Sequence, residues 1–163
     1  MFESTYSLKC IKLEEMMPFL LQLFDDGSNV KVKVTGSSMY PFLRGLIDCV
    51  VLAPVIKKKP ERGDIVLYIR EDKKHVLHRV IKIKKEGFYI AGDAQTRIEG
   101  PIEEVKIIAV AVGIYRQGKY ISTDNLIFTL FSELWMILRP FRHFIINIYK
   151  TKISYLVNIR GSL

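Results

Sequence analysis

Cysteine is scarce in this chain, and the scarcity is informative. Only Cys10 and Cys49 occur among 163 residues, which excludes a disulfide framework, and no CxxC or Cys/His pair stands at metal-ligand spacing. Cys49, within Asp48-Cys49-Val50-Val51-Leu52, reads as a small buried hydrophobe. Long apolar runs are lacking near the start: Met16 to Phe24 is interrupted by Pro18 and Gln22 and falls short of the about 20 apolar residues of a spanning helix. Met1-Phe2-Glu3-Ser4-Thr5-Tyr6 has neither the basic nor the apolar region of a secretory signal. No low-complexity tract is present and 49% of the residues are apolar, so a folded body is expected, with room for one domain plus some appended structure. Acidic residues are in deficit: 17 Asp and Glu face 25 Lys and Arg, leaving a net charge of +8. That balance favours acidic surfaces, nucleic acid or an anionic membrane leaflet, without choosing between them.

Along the chain the apolar period changes twice. Ile11, Leu13, Met16, Met17, Leu20, Leu21 and Phe24 share a helical face, closed by Asp25-Asp26-Gly27-Ser28, which predicts a short amphipathic helix over 11–24. From Val30 the period is two: Val30, Val32 and Val34 alternate with Lys31, Lys33 and Thr35 and lead straight into Gly36-Ser37-Ser38. Further strands are expected at Ile47–Leu52, Ile65–Arg70, His75–Lys84, Gly87–Ala91 and Lys106–Tyr115, separated by polar turns such as 57–64 and 70–74. Short strands without long intervening helices predict a mainly β fold, a coiled antiparallel body. After Ser122-Thr123-Asp124, any of which is suited to cap a helix, the dense apolar run Leu126–Leu138 predicts a helical tail that Pro140 kinks or ends. The expected organisation is a helix and linker over 1–29, a β domain over 30–122 and an apolar, basic tail over 123–163.

The chemistry concentrates at three points. Ser38 lies in a Gly-Ser turn at the end of a strand, with Gly36 permitting unusual backbone and Met39 and Pro41 anchoring and stiffening the chain beyond the serine. A serine hydroxyl is a poor nucleophile until a base within about 2.6 to 3.2 Å accepts its proton. His78, on a partly apolar strand with Val76 and Val80, is the candidate base, and Asp93 in Gly92-Asp93-Ala94 is a carboxylate able to orient it or to support the turn. His75 is assigned to solvent and His143 to the basic tail. The same residues admit a plainer reading, an ordinary Gly-Ser turn, a core histidine and a turn aspartate.

Taken in order, Gly36-Ser37-Ser38-Met39-Tyr40-Pro41-Phe42-Leu43, Arg62-Gly63-Asp64-Ile65-Val66, His78-Arg79-Val80 and Gly92-Asp93-Ala94 resemble the motif boxes of the signal peptidase I superfamily, which includes self-cleaving repressors. The similarity covers roughly residues 30–116. It implies Ser38 as nucleophile and His78 at the position where bacterial members carry lysine, a histidine-type arrangement. It implies Asp93 in the Gly-Asp box, as orienter or architectural support. The Ser38 amide is the natural oxyanion donor, with Ser37, Gly36 and Met39 in supporting positions. Many members add a hydroxyl two residues before the nucleophile; Gly36 removes it here. Lys82 and Lys84 are substitute bases displaced from the matching position, Arg79 is expected in a structural ion pair, and Asp48 and Asp64 receive no chemical role.

The resemblance therefore implies a serine endopeptidase that cleaves a leader or signal-like peptide after small residues, without metal or cofactor. The N-terminal membrane anchor usual in the family is not found, and the expected location is cytoplasmic. The alternative is a catalytically silent peptide-binding module of the same fold. A repressor would need a helix-turn-helix, and the stretch before the body has room for one short helix. Nucleic acid is not an expected partner. Residues 126–152 combine an apolar helix with Arg139, Arg142, Lys150 and Lys152, a pattern suited to peripheral membrane contact and equally to covering the β body or a partner subunit. If His78 is the base, the rate should rise with pH through its titration, expected between about pH 5 and 8.

Overall fold

The computed structural model describes residues 13–142 and residue 144. Expectations for Cys10, His143, Lys150 and Lys152 lie outside the described residues. The chain is mainly β, as its patterning predicts. Helix α1 (Leu13–Asp25) precedes strands β1 (Val30–Lys33), β2 (Cys49–Pro54), β3 (Ile65–Ile69), β4 (His75–Lys84), β5 (Gly87–Ala91), β6 (Glu99–Ile102), β7 (Ile107–Arg116) and β8 (Lys119–Ser122), and helix α2 (Leu126–Ile137) comes last. All pairings are antiparallel, in the order β1-β2-β7-β3-β4-β5-β6, with β8 on β7.

The two central strands are covered on both faces. On β3, Ile65 and Leu67 join one apolar cluster while Val66 and Tyr68 join the other, and on β7 Ala109 and Ala111 alternate with Val110 in the same way. That double burial explains why β3 reads as an unbroken apolar run rather than an alternating one. The first cluster lies under α1, which contributes Met17, Leu20 and Phe24, and it also takes in Met39 and Leu43 from the loop after β1. Helix α1 ends in a Schellman arrangement: Ser28 N–H reaches Leu23 O at 2.8 Å and Gly27 N–H reaches Phe24 O at 2.9 Å. Gly27 at φ +75° supplies the left-handed turn.

Helix α2 is capped by Asn125, whose side-chain oxygen accepts from Ile127 N–H at 2.9 Å, one residue beyond the three polar residues the sequence offered. It ends at Ile137, and Pro140 sits in the adjoining short 3-10 turn Arg139–Phe141. Only part of its apolar surface meets the body. Ser132 and Met136 are buried, whereas Leu126, Ile127, Leu130, Phe131, Leu134 and Ile137 are each at least 50% exposed. Of the coverings the sequence left open for this face, the β body supplies only a small part, and among the described residues no helix is long and apolar enough to cross a membrane.

The loop joining β1 to β2, which carries Ser38, is tied at its base. Val34 N–H donates to Asp48 O at 3.0 Å and Leu46 N–H to Val34 O at 2.7 Å. The fully buried Asp48 carboxylate accepts from Arg44 N–H at 2.8 Å and from Arg116 Nη2 at 2.7 Å, and the same Arg116 nitrogen reaches Phe42 O at 2.8 Å. Burial raises the Asp48 pKa, but Arg116 and the Arg44 hydrogen bond outweigh it and hold the carboxyl below its ordinary value. Asp48→Ala should therefore cost about 2 to 3 kcal/mol of unfolding free energy, less than the about 3 to 5 for a fully buried pair because Arg116 is 30% exposed. Urea titration measures it; a loss below about 1 kcal/mol would contradict this role for the pair.

Candidate active site

Ser38 and His78 meet across the sheet. His78 Nε2 lies 3.2 Å from Ser38 Oγ, a hydrogen-bond distance, with the ring fully buried and the serine half-buried. The serine is delivered by the tied loop, whose Met39 is 2% exposed and anchors the turn in the first apolar cluster. The histidine is delivered by β4, where it stands opposite Val66 of β3. A second grip comes from the turn after β5: Ala94 N–H donates to Ser38 O at 2.8 Å. Gly92 permits this approach, since a Cβ there would stand 2.7 Å from the same carbonyl oxygen.

The other ring nitrogen faces a phenol. Tyr68, on β3 two residues beyond the partner of His78, is its diagonal neighbour on the same sheet face, and its hydroxyl lies 3.2 Å from His78 Nδ1. Tyr68 donates to Glu99 Oε2 at 2.8 Å, and Arg70 grips Glu99 through Nε at 2.7 Å and through Nη2. Glu99 Oε1 is 3.8 Å from His78 Nδ1. Burial raises the Glu99 pKa, but the Arg70 and Tyr68 hydrogen bonds prevail and keep the carboxyl below its ordinary range. Burial first, then Glu99, raises the Tyr68 pKa, so the phenol keeps its proton.

Asp93 serves a different partner. Arg79 takes both of its oxygens, Nε to Oδ1 at 2.8 Å and Nη2 to Oδ2 at 2.7 Å, with both side chains fully buried. Among the described residues no hydrogen bond joins Asp93 to His78. Of the two roles the sequence left open, the geometry supplies the architectural one. Arg79 also donates to Gly63 O at 2.7 Å and Ser132 Oγ at 3.1 Å, and Trp135 Nε1 donates to Asp93 O at 3.0 Å, so α2 is clasped to the same pair. Arg79, expected in a structural ion pair, forms one.

Around Ser38, Ser37 is exposed and accepts Tyr40 N–H at 3.1 Å through its carbonyl, while Gly36 has open space where a side chain would begin. The Ser38 amide makes no hydrogen bond among the described residues, which leaves it available as the oxyanion donor assigned to it. Lys82 and Lys84, the substitute bases, are exposed beyond the irregularity that separates Val80 from Lys82, and Lys84 pairs with Glu86 at 3.1 Å. His75 is half-buried rather than solvent-facing, and so is Cys49. An open cleft of about 980 Å³ is lined by Arg70, Glu99, Ala94 and Gln95 among others; it touches the site through Ala94 and Glu99, and neither Ser38 nor His78 lines it.

Comparison with protein-family models and with curated proteins gives no significant match for this chain. Tyr68, Arg70 and Glu99 were not among the residues that the sequence offered. A tyrosine inside an apolar strand was the available signal, because a buried phenol requires a polar partner.

Burial is the largest influence on His78 and lowers its pKa from 6.5 to about 4; Glu99 and Asp93 oppose the shift and Arg70 adds to it. The unfolded chain binds this proton more tightly. The stability contribution is therefore complete above pH 6.5 and is lost as pH falls toward 4. Comparing wild type with His78→Gln by thermal unfolding, the wild type should lose up to about 3 kcal/mol more across that window. Parallel curves would contradict the burial of a neutral imidazole.

Proposed function

We propose that this chain is a serine endopeptidase of signal-peptidase-like type, cleaving a leader or signal-like peptide with Ser38 as nucleophile and His78 as general base. The observation that carries the proposal is the 3.2 Å approach of Nε2 to Oγ. The ordered motif boxes over roughly 30–116 support the same assignment. The Ser38 hydroxyl proton passes to Nε2 as Oγ attacks the peptide carbonyl. The imidazolium then returns that proton to the leaving amine, and water, deprotonated in turn by His78, releases the acyl group. Preference for small residues beside the cut is implied by the resemblance.

The burial of His78 changes the expected pH profile. With the imidazole pKa near 4, the base is already neutral across the range between about pH 5 and 8 where a rise was expected. The acid limb moves down to about pH 4 and the rate is nearly level above about pH 6. With a set of leader-like peptides read by mass spectrometry, Ser38→Ala and His78→Ala should each lower cleavage by about 10³-fold or more with folding retained. Retention of most activity by His78→Ala would remove it as base.

We also infer that the exposed face of α2 rests on an anionic membrane surface. The bare apolar row continues through Phe141 and Phe144, each more than 60% exposed, within a chain of net charge +8; Arg142, expected among the tail's cations, is instead buried and donates to Trp135 O. The chain should co-sediment with vesicles of mixed phosphatidylglycerol and phosphatidylcholine more than with phosphatidylcholine alone, and Phe131→Asp with Leu134→Asp should abolish the binding. No co-sedimentation of the wild type would refute the contact.

A further inference from the structure

We infer that Tyr68, fixed by Glu99, is the positioning residue that sets the tautomer of His78, so that the carboxylate serving the base acts through a phenol and is Glu99, not Asp93. The inference deepens the endopeptidase reading and rests on it for its catalytic meaning.

The protons available behind the ring fix its tautomer. A phenol has one, and Tyr68 gives it to Glu99 Oε2 at 2.8 Å. Glu99 is a carboxylate held by two Arg70 nitrogens, so it has no proton to return. Toward His78 Nδ1, 3.2 Å away, the phenol oxygen then presents only lone pairs. A buried ring nitrogen facing a lone pair must carry the hydrogen, because two facing acceptors would leave both unsatisfied. A neutral imidazole with hydrogen on Nδ1 has its free electron pair on Nε2, the nitrogen that faces Ser38 Oγ. Base catalysis from Nε2 requires this tautomer.

The relay also acts when charge develops. As Nε2 takes the serine proton, the imidazolium lies 3.8 Å from Glu99 Oε1, near enough for direct electrostatic support. The other charged groups acting on the ring are Arg70, which opposes its protonation, and Asp93, which favours it. Among the described residues Asp93 makes no hydrogen bond to the ring; both of its oxygens accept from Arg79. Asp93 thus influences the ring through space, and Tyr68 through contact.

The test reads the ring nitrogens directly, by long-range ¹⁵N–¹H correlation on the full chain labelled in histidine at neutral pH. Wild type should show His78 with hydrogen on Nδ1. Tyr68→Phe, which keeps the ring packing, should lose that tautomer. Glu99→Ala should lose it too although the phenol is still present, because a Tyr68 hydroxyl freed from its acceptor can turn and donate to Nδ1. Glu99→Gln, which retains an acceptor oxygen, should restore it. Acylation by p-nitrophenyl acetate, followed as release of p-nitrophenolate, should fall by roughly 10²-fold or more in Tyr68→Phe and Glu99→Ala. The double variant should be no slower than Tyr68→Phe alone, since the two residues act as one unit. Hydrogen on Nε2 in the wild type, an unchanged tautomer in Tyr68→Phe or Glu99→Ala, or a rate that falls in a folded Asp93→Asn but not in Tyr68→Phe would each overturn the inference. A wild type that p-nitrophenyl acetate fails to acylate counts against the endopeptidase reading instead, and the tautomer still decides the role of Tyr68.

Discussion

The fully buried pair Arg79–Asp93 is the joint on which the site depends. Arg79 comes directly after His78 on β4, and Asp93 precedes Ala94, whose amide holds the Ser38 carbonyl at 2.8 Å. One two-pronged ion pair therefore links the strand of His78 to the turn that grips Ser38. Two charges removed from water are tolerated only when their hydrogen-bonding capacity is met, and here Gly63 O and Ser132 Oγ accept from the Arg79 nitrogen that Asp93 leaves free, while Trp135 holds the Asp93 backbone carbonyl. The cation is also sheltered by Phe42, its guanidinium carbon 4.4 Å from the ring centroid. Phe42 in turn meets Phe128 edge-on at 5.5 Å, so α2 closes over the joint rather than hanging from the domain.

Two other ion pairs divide the remaining work. Asp48–Arg116 ties the base of the nucleophile loop, and Arg70–Glu99 holds the phenol behind the imidazole. The three pairs sit on different strand connections, so each controls one component: the serine, the imidazole and the link between them. The surface contacts that attach α2, such as Arg62 to Glu133 at 2.9 Å, are exposed and contribute at most about 1 kcal/mol. The buried side of the helix fixes α2, and its other side is an exposed apolar row.

Much of this was legible in the sequence because local pattern and tertiary packing agree. β4 and β5 fall where alternation and flanking turns place them, and β2, β3 and β7 lie within a few residues of expectation. β6 and β8 escaped notice for physical reasons. Glu99-Gly100-Pro101-Ile102 carries turn residues and is stabilised by pairing with β5 rather than by its own propensity. Lys119–Ser122 is short and has no buried side chain to betray a period. The loss of β6 mattered most, because Glu99 stands on it. Ser38 and His78 were recognisable through their neighbours in the chain. Tyr68 and Glu99 gain their relation to His78 only through strand pairing, which leaves no local mark. Asp93 was visible as a carboxylate in a Gly-Asp turn, but its partner is decided by Arg79, whose guanidinium fits both oxygens at once.

The central claim is that the Ser38 hydroxyl and the His78 ring work on one carbonyl, and the most direct measurement is a crystal structure of the chain treated with a peptidyl trifluoromethyl ketone ending in a small residue. A covalent hemiketal on Ser38 Oγ is expected, with His78 Nε2 within hydrogen-bond reach of the adduct. An unmodified Ser38 with its side chain turned away from His78, or an adduct formed at another residue, would contradict it.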